Sequence, residues 1–237
     1  MRSKHLARQI AEWPGDKSLS WPEAAPFGPG IDAPLPGENE PGEDLILCLH
    51  GFPATPALFR LVRAAAGARG YELAAPLLPG CGTSPKDIVP IRYRDWVEFA
   101  IARWRHLRPR YKRGWLVGSS VGGSLALERA AAFAETHELA PSGLATIGSP
   151  VVLNALLPRG MLAHPLLYVA GALRFFVPSL NAAMPDPQRE GEDGDERWRG
   201  YHGRYPGFSA TLQAGLRRLE RRLPRIRAPL FALHERR

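Results

Sequence analysis

Unbroken apolar runs and runs with a helical period alternate along most of the chain. Residues 44–52, DLILCLHGF, form an apolar stretch closed by glycine, the pattern of a parallel strand covered on both faces. In PALFRLVRAAAGARGY, apolar residues at 58, 61, 62 and 65 precede Gly70, which predicts a helix with a C-terminal stop. Residues 71–82 read as the next strand and its turn, 92–107 as a helix, 114–120 as a strand and 121–137 as a helix. A strand at 143–150, a last helix near 207–223 and an apolar strand at 228–235 continue the alternation. Strands separated by helices of this length specify an α/β fold, a doubly wound and mostly parallel sheet with right-handed crossovers.

Two stretches break the rhythm. Residues 22–44 are rich in proline, glycine and acids, which predicts an extended N-terminal arm with room for short strands and no packed helix. Residues 151–205 hold a hydrophobic helical stretch and then the acidic segment PDPQREGEDGDERWRG, read here as an insertion with a mobile loop. The expected organisation is therefore an arm at 1–44, a first part of the core at 45–150, an insertion at 151–205 and a second part of the core at 206–237.

Length and composition narrow this little further. A chain of 237 residues suits one α/β domain with at most a small insertion, and 45% hydrophobic with 23% charged residues is ordinary for a globular protein. Cys48 and Cys81 do not make a disulfide framework. The start, MRSKHLARQIAEWPGDK, lacks the apolar core of a signal peptide. The most apolar run, 161–180, is interrupted by His164, Pro165, Arg174 and Pro178 and makes a poor membrane span. The expectation is a soluble, cytoplasmic protein.

Charge raises one alternative. The net charge is +8, and arginines concentrate in 102–113 and 216–227, as in some nucleic-acid binders. Both runs also carry apolar residues at helical spacing (Ile101, Trp104, Leu107; Leu212, Leu216, Leu219, Leu223), which puts the arginines on solvated faces. Neither run contains a nucleic-acid motif, so no nucleic-acid partner is expected.

The candidate chemistry lies between the predicted strand at 114–120 and the helix after it. Gly118-Ser119-Ser120-Val121-Gly122 is a G-x-S-x-G turn in the strand–turn–helix setting that this motif requires. Such a turn lifts Ser120 above the carboxyl end of the sheet, where ligands bind in open α/β folds. The helix that begins at Val121 aims its free N–H groups at whatever Ser120 holds, which makes the Val121 N–H a candidate oxyanion donor. LHGF at 49–52 closes the first central strand, and the Phe52 N–H is the candidate second donor. His50 is read as a brace for that loop. A phosphate-binding turn is the competing reading of Ser120, but neither G-x-G-x-x-G nor a Walker lysine is present.

With these residues in view, the chain resembles the α/β-hydrolases of the carboxylesterase and monoacylglycerol-lipase type. The resemblance rests on LCLHGFPATP, LLPGCGTSP, RDWV, LVGSSVGGSLAL, TIGSP and RIRAPLFALHERR, and spans 45–237 except the insertion, which matches in position only. It implies an α/β-hydrolase fold in which a small helical cap covers an acyl pocket. Residues 155–180, with Phe175 and Phe176, would line that pocket. It implies a serine hydrolase that cleaves small-molecule acyl esters through an acyl-enzyme on Ser120, with Phe52 and Val121 as oxyanion donors. No cofactor and no metal is implied, because the nucleophile is on the protein.

Two positions depart from the family pattern. Cys81 stands where relatives commonly carry histidine, at a position outside the triad. More important, the catalytic Asp follows the strand that corresponds to PLFALHE, and the His lies beyond a further helix and strand. Both positions fall past Arg237. The expectation is thus a C-terminally truncated fold lacking its last strand and helix, with 228–235 as an exposed apolar edge and little activity in this chain alone. Of the seven histidines (His5, His50, His106, His137, His164, His202 and His234), only His164 and His202 belong to the insertion that could approach the pocket. Glu235 lies too early for the acid. The runner-up reading is a non-catalytic binding protein on the same fold. Acyl-chain length, the alcohol part and oligomeric state are left open.

Overall fold

The computed structural model describes residues 4–29, 42–133, 138–152, 172, 176–184 and 200–234. In chain order these form α1 (Lys4–Ala11), β1 (Gly42–Leu49), α2 (Arg60–Gly67), β2 (Glu72–Ala74), α3 (Tyr93–Leu107), β3 (Tyr111–Ser119), α4 (Val121–Ala132) and β4 (Gly143–Ile147). They continue with β5 (Leu180–Ala183), β6 (His202–Arg204), α5 (Pro206–Arg222) and β7 (Leu230–Leu233).

The apolar runs form a five-stranded sheet in the order β2-β1-β3-β4-β7, every neighbouring pair parallel. The alternating side chains of β1 show why both faces are wound. Leu45, Leu47 and Leu49 join the large core that also holds Trp96, Phe99, Leu125 and Leu216, whereas Cys48 joins a smaller one with Phe59, Ala66 and Leu73. α3, α4 and α5 therefore cover one face and α2 the other. Most of the arginine-rich runs follow the predicted faces: Trp104, Leu107, Leu212, Leu216 and Leu219 are buried, while Arg105, Arg217, Arg218 and Arg221 are exposed. Arg108 departs from them, being buried with its guanidinium donating to the Tyr111 carbonyl at 2.6 Å.

Register sets the ends of the strands. Leu49 pairs with Gly118, and Ser119, Ile147 and Leu233 lie in one row. β1, β3, β4 and β7 consequently end together, and the loops that follow β1, β3 and β4 share one rim.

Three features depart from the sequence reading. The strand expected across 71–82 is a ladder only at Glu72–Ala74. Pro76 and Pro79 have no N–H to donate, and the Leu78 N–H is taken by the His50 ring instead of by a strand. The first residues are also not a loose arm throughout. α1 delivers Ile10 into the main core, Trp13 joins that core from the turn after it, and Pro22–Ala24 makes one 3-10 turn, whereas the pairing of Phe27 with Ala75 beside β2 is a short strand of the kind the arm allowed. Within 151–205, β5 and β6 form a small antiparallel pair that no hydrophobic pattern announced. Residues 153–171, 173–175 and 185–199 lie outside the described residues, and so do the expected pocket-lining positions 155–171, Phe175 and His164. Phe176 is 84% exposed.

Candidate active site

The turn from β3 to α4 is strained at one residue. Ser120 has φ 50 and ψ −126, a conformation L-residues rarely adopt and one that costs about 1–3 kcal/mol. Its surroundings hold it there. The Ser120 N–H donates to the Ile147 carbonyl at 2.8 Å, tying it to β4, and its own carbonyl accepts the Gly123 N–H at 3.0 Å, starting α4. Gly122 makes the approach possible, because a Cβ there would overlap the carbonyls of Leu49 and His50. On the other side of α4, the buried Ser124 hydroxyl donates to the Pro150 carbonyl at 2.6 Å. The first turn of α4 is thus pinned between the loop after β1 and the loop after β4.

The loop after β1 lies directly against this turn. Gly51 is so close that a Cβ on it would sit 3.0 Å from Ser120 Cβ and 3.6 Å from Ser120 Oγ. The Ala54 N–H donates to the Gly51 carbonyl at 3.0 Å and closes a turn around Phe52. Among the described residues, neither the Phe52 N–H nor the Val121 N–H has a hydrogen-bond partner. For Val121 this is the ordinary condition of a first helical residue. Ser120, Phe52 and Val121, the three residues singled out by sequence, therefore converge on one rim.

His50 is braced, as its position suggested. It is fully buried, its Nδ1 lies 2.9 Å from the Gly51 carbonyl, and its Nε2 accepts the Leu78 N–H at 3.0 Å. That pairing assigns the proton to Nδ1 and leaves no free ring nitrogen. Burial pushes its pKa down to about 4, outweighing the Gly51 hydrogen bond, so the ring stays neutral. The other described histidines are elsewhere. His106 is near the end of α3, where it contacts Arg110, His202 is exposed on β6, and His234 is exposed just past β7. The side chains of His5, His137 and His164 lie outside the described residues, as does Glu235. Cys81 is buried, and burial raises its thiol pKa, which suits a packing role.

Sequence reasoning missed an aromatic cluster behind Phe52. The Phe52 ring stacks on Phe208 of α5 at 4.1 Å between centroids and 14° between planes, with Trp96 and Tyr205 each at 5.7 Å. The only signal was aromatic residues at the starts of two helices, and spacing does not pair them.

Residues 46–236 match the alpha/beta hydrolase family. A thermostable monoacylglycerol lipase of Bacillus sp. (strain H-257) is 31% identical over 99 residues, 42% of this chain and 40% of that protein. A carboxylesterase of Bacillus subtilis (strain 168) is 29% identical over 99 residues, 41% of this chain and 40% of its own. The matched stretch thus spans about two-fifths of either relative. One of the metagenome-derived lipolytic enzymes LipS and LipT superposes with a TM-score of 0.69 at 22% identity, covering 91% of this chain and 77% of its own. A Paleococcus ferrophilus monoacylglycerol lipase gives 0.52 at 15% identity, over 88% and 75%. Likeness at that identity speaks for the fold, and the fold agrees with the strand order and the turn at Ser120. The chain belongs to the alpha/beta hydrolase family.

Proposed function

We propose that this chain carries the nucleophile and the oxyanion donors of a serine hydrolase acting on carboxylic acyl esters, monoacylglycerol-like esters among them. The observation that carries this reading is the strained Ser120 held against Gly51 at the start of α4. Ser120 Oγ attacks the ester carbonyl carbon, and the carbonyl π electrons move onto oxygen. The Phe52 and Val121 N–H groups receive that oxyanion, an interaction worth about 100- to 1000-fold in rate per donor. The intermediate then expels the alkoxide, which leaves as the alcohol with the proton a base took from Ser120, and water, deprotonated by the same base, cleaves the acyl-enzyme to the acid and restores the Ser120 hydroxyl. The names of the two Bacillus relatives support this choice of substrate class.

Ser120 also needs a base within hydrogen-bond reach. His50 has both ring nitrogens engaged and so is not that base. The family resemblance assigns the base, with its Asp, to positions past Arg237. Hydrolysis of p-nitrophenyl butyrate by the 237-residue chain is then expected to differ little from that of Ser120→Ala. The translation product of the whole open reading frame, read past codon 237, is expected to hydrolyse the ester and to lose this with Ser120→Ala. Equal turnover by the longer product and its Ser120→Ala variant overturns the nucleophile assignment. A stop codon directly after 237, with no Ser120-dependent turnover, overturns the enzyme reading and leaves the binding protein. Strong Ser120-dependent turnover by the 237-residue chain places the base within it, at His164 or His202.

A further inference from the structure

The two N–H groups beside Ser120 are supported differently. Val121 belongs to α4 and takes its orientation from that helix. Phe52 lies in a short loop, and its main contacts come from far along the chain. The Tyr201 N–H donates to the Pro53 carbonyl at 3.2 Å, and the Tyr201 hydroxyl accepts the Thr83 N–H at 2.7 Å. Seven residues later, the Phe208 ring lies flat against Phe52. Phe208 is itself fixed from behind. Trp96 meets it at 4.8 Å and 60°, and the Trp96 indole N–H donates to the Pro79 carbonyl at 2.8 Å. The start of α5 is further tied to α3, where the Tyr93 N–H donates to Thr211 Oγ1 at 3.1 Å. Phe208 and Trp96 are fully buried, whereas Phe52 is only half-buried. The stack therefore ends at the loop, which is held by the Phe52 ring and by the Tyr201–Pro53 hydrogen bond.

We propose that Phe208 is a positioning residue: by stacking on the Phe52 ring it sets the orientation of the Phe52 N–H, with the Tyr201–Pro53 hydrogen bond as a second support. The oxyanion donors are thereby divided. One is local to the Ser120 turn, and the other takes its geometry from 200–208, where the chain rejoins the core after the insertion. This rests on the reading of Ser120 given above.

Amide hydrogen exchange in the 237-residue chain tests the proposal without turnover, so its failure is distinct from failure of the Ser120 assignment. Ala54 reports on the turn around Phe52, and Leu116 in the central strand β3 reports on the whole fold. Phe208→Leu keeps an apolar side chain and removes the stack. Exchange at Ala54 is expected to quicken about tenfold, the upper range for one aromatic pair, and by more than at Leu116. Phe52→Leu, at a half-buried position, removes the same stack from the loop side and is expected to act alike. If Ala54 moves no more than Leu116 in these variants, the cluster is ordinary core packing and the proposal is overturned.

Discussion

The two edges of the central sheet are finished in opposite ways. Beside β2, Phe27 and Ala75 exchange two backbone hydrogen bonds of 3.2 and 2.8 Å, and Gly28 presses against the Leu73 carbonyl. The segment that does this is anchored in turn, with the Trp13 indole N–H on the Cys81 carbonyl and Lys17 paired with Asp87 at 2.8 Å. Beside β7 no described residue plays that part. Leu230, Phe231 and Leu233 are 47, 65 and 55% exposed on a strand with no charge of its own. Native sheets usually blunt such an edge with lysine, proline, a bulge or a covering segment. The contrast teaches that parallel pairing to β4 is enough to define β7, with its other side uncovered by any described residue. The Ser120 turn, between the two edges, is held by the loop after β1 and by its hydrogen bond to Ile147 of β4.

The largest effect should come from reopening the closed edge. Gly28 has φ +83, and a Cβ there would overlap the Leu73 carbonyl. Gly28→Val combines overpacking with left-handed strain and is expected to cost about 4 kcal/mol in urea unfolding. A loss under about 1 kcal/mol would mean that this edge is covered only loosely.

Acid should act next, and on the same side, because His50 joins the loop after β1 to the loop after β2. Its folded pKa is lowered to about 4 from 6.5, so between these values the unfolded chain binds more protons. Stability from this group is complete above pH 6.5 and falls as the pH drops toward 4, by about 3 kcal/mol in all. Urea titrations across that range should show this slope, and His50→Gln, which keeps a donor and an acceptor, should flatten it.

The smallest change in stability is expected at the open edge. Phe231→Lys should alter the unfolding free energy by no more than about 0.5 kcal/mol, yet lower light scattering on concentration. Strong destabilisation would show that Phe231 is packed, and the contrast between the edges would fail.

These differences track how much could be read from the sequence. The strands and helices around the Ser120 turn announce themselves by local period, and the glycines around Ser120 are spaced as the turn requires. The role of His50 was also legible, since a histidine between an apolar strand and a glycine has little to do but brace. What stayed hidden depends on pairs distant in sequence. Trp13 meets Cys81, Phe27 meets Ala75, and Phe52 meets Phe208. The hydrophobic pattern of α1 covers only 8 residues and marks no strand partner. Likewise, β2 read long because an apolar run does not reveal that a buried imidazole will claim the Leu78 N–H.

Gly51 has a consequence for anyone who approaches this serine with a reagent. A single methyl group there would stand 3.0 Å from Ser120 Cβ and 3.6 Å from Ser120 Oγ, close enough to press on the serine as well as to narrow the way to its hydroxyl. The missing side chain is an aperture, and its width is a property of residue 51. Gly51→Ala would therefore screen the hydroxyl from bulky electrophiles more than from small ones. A loss of trapping that grows with the size of the reagent would be the mark of that change.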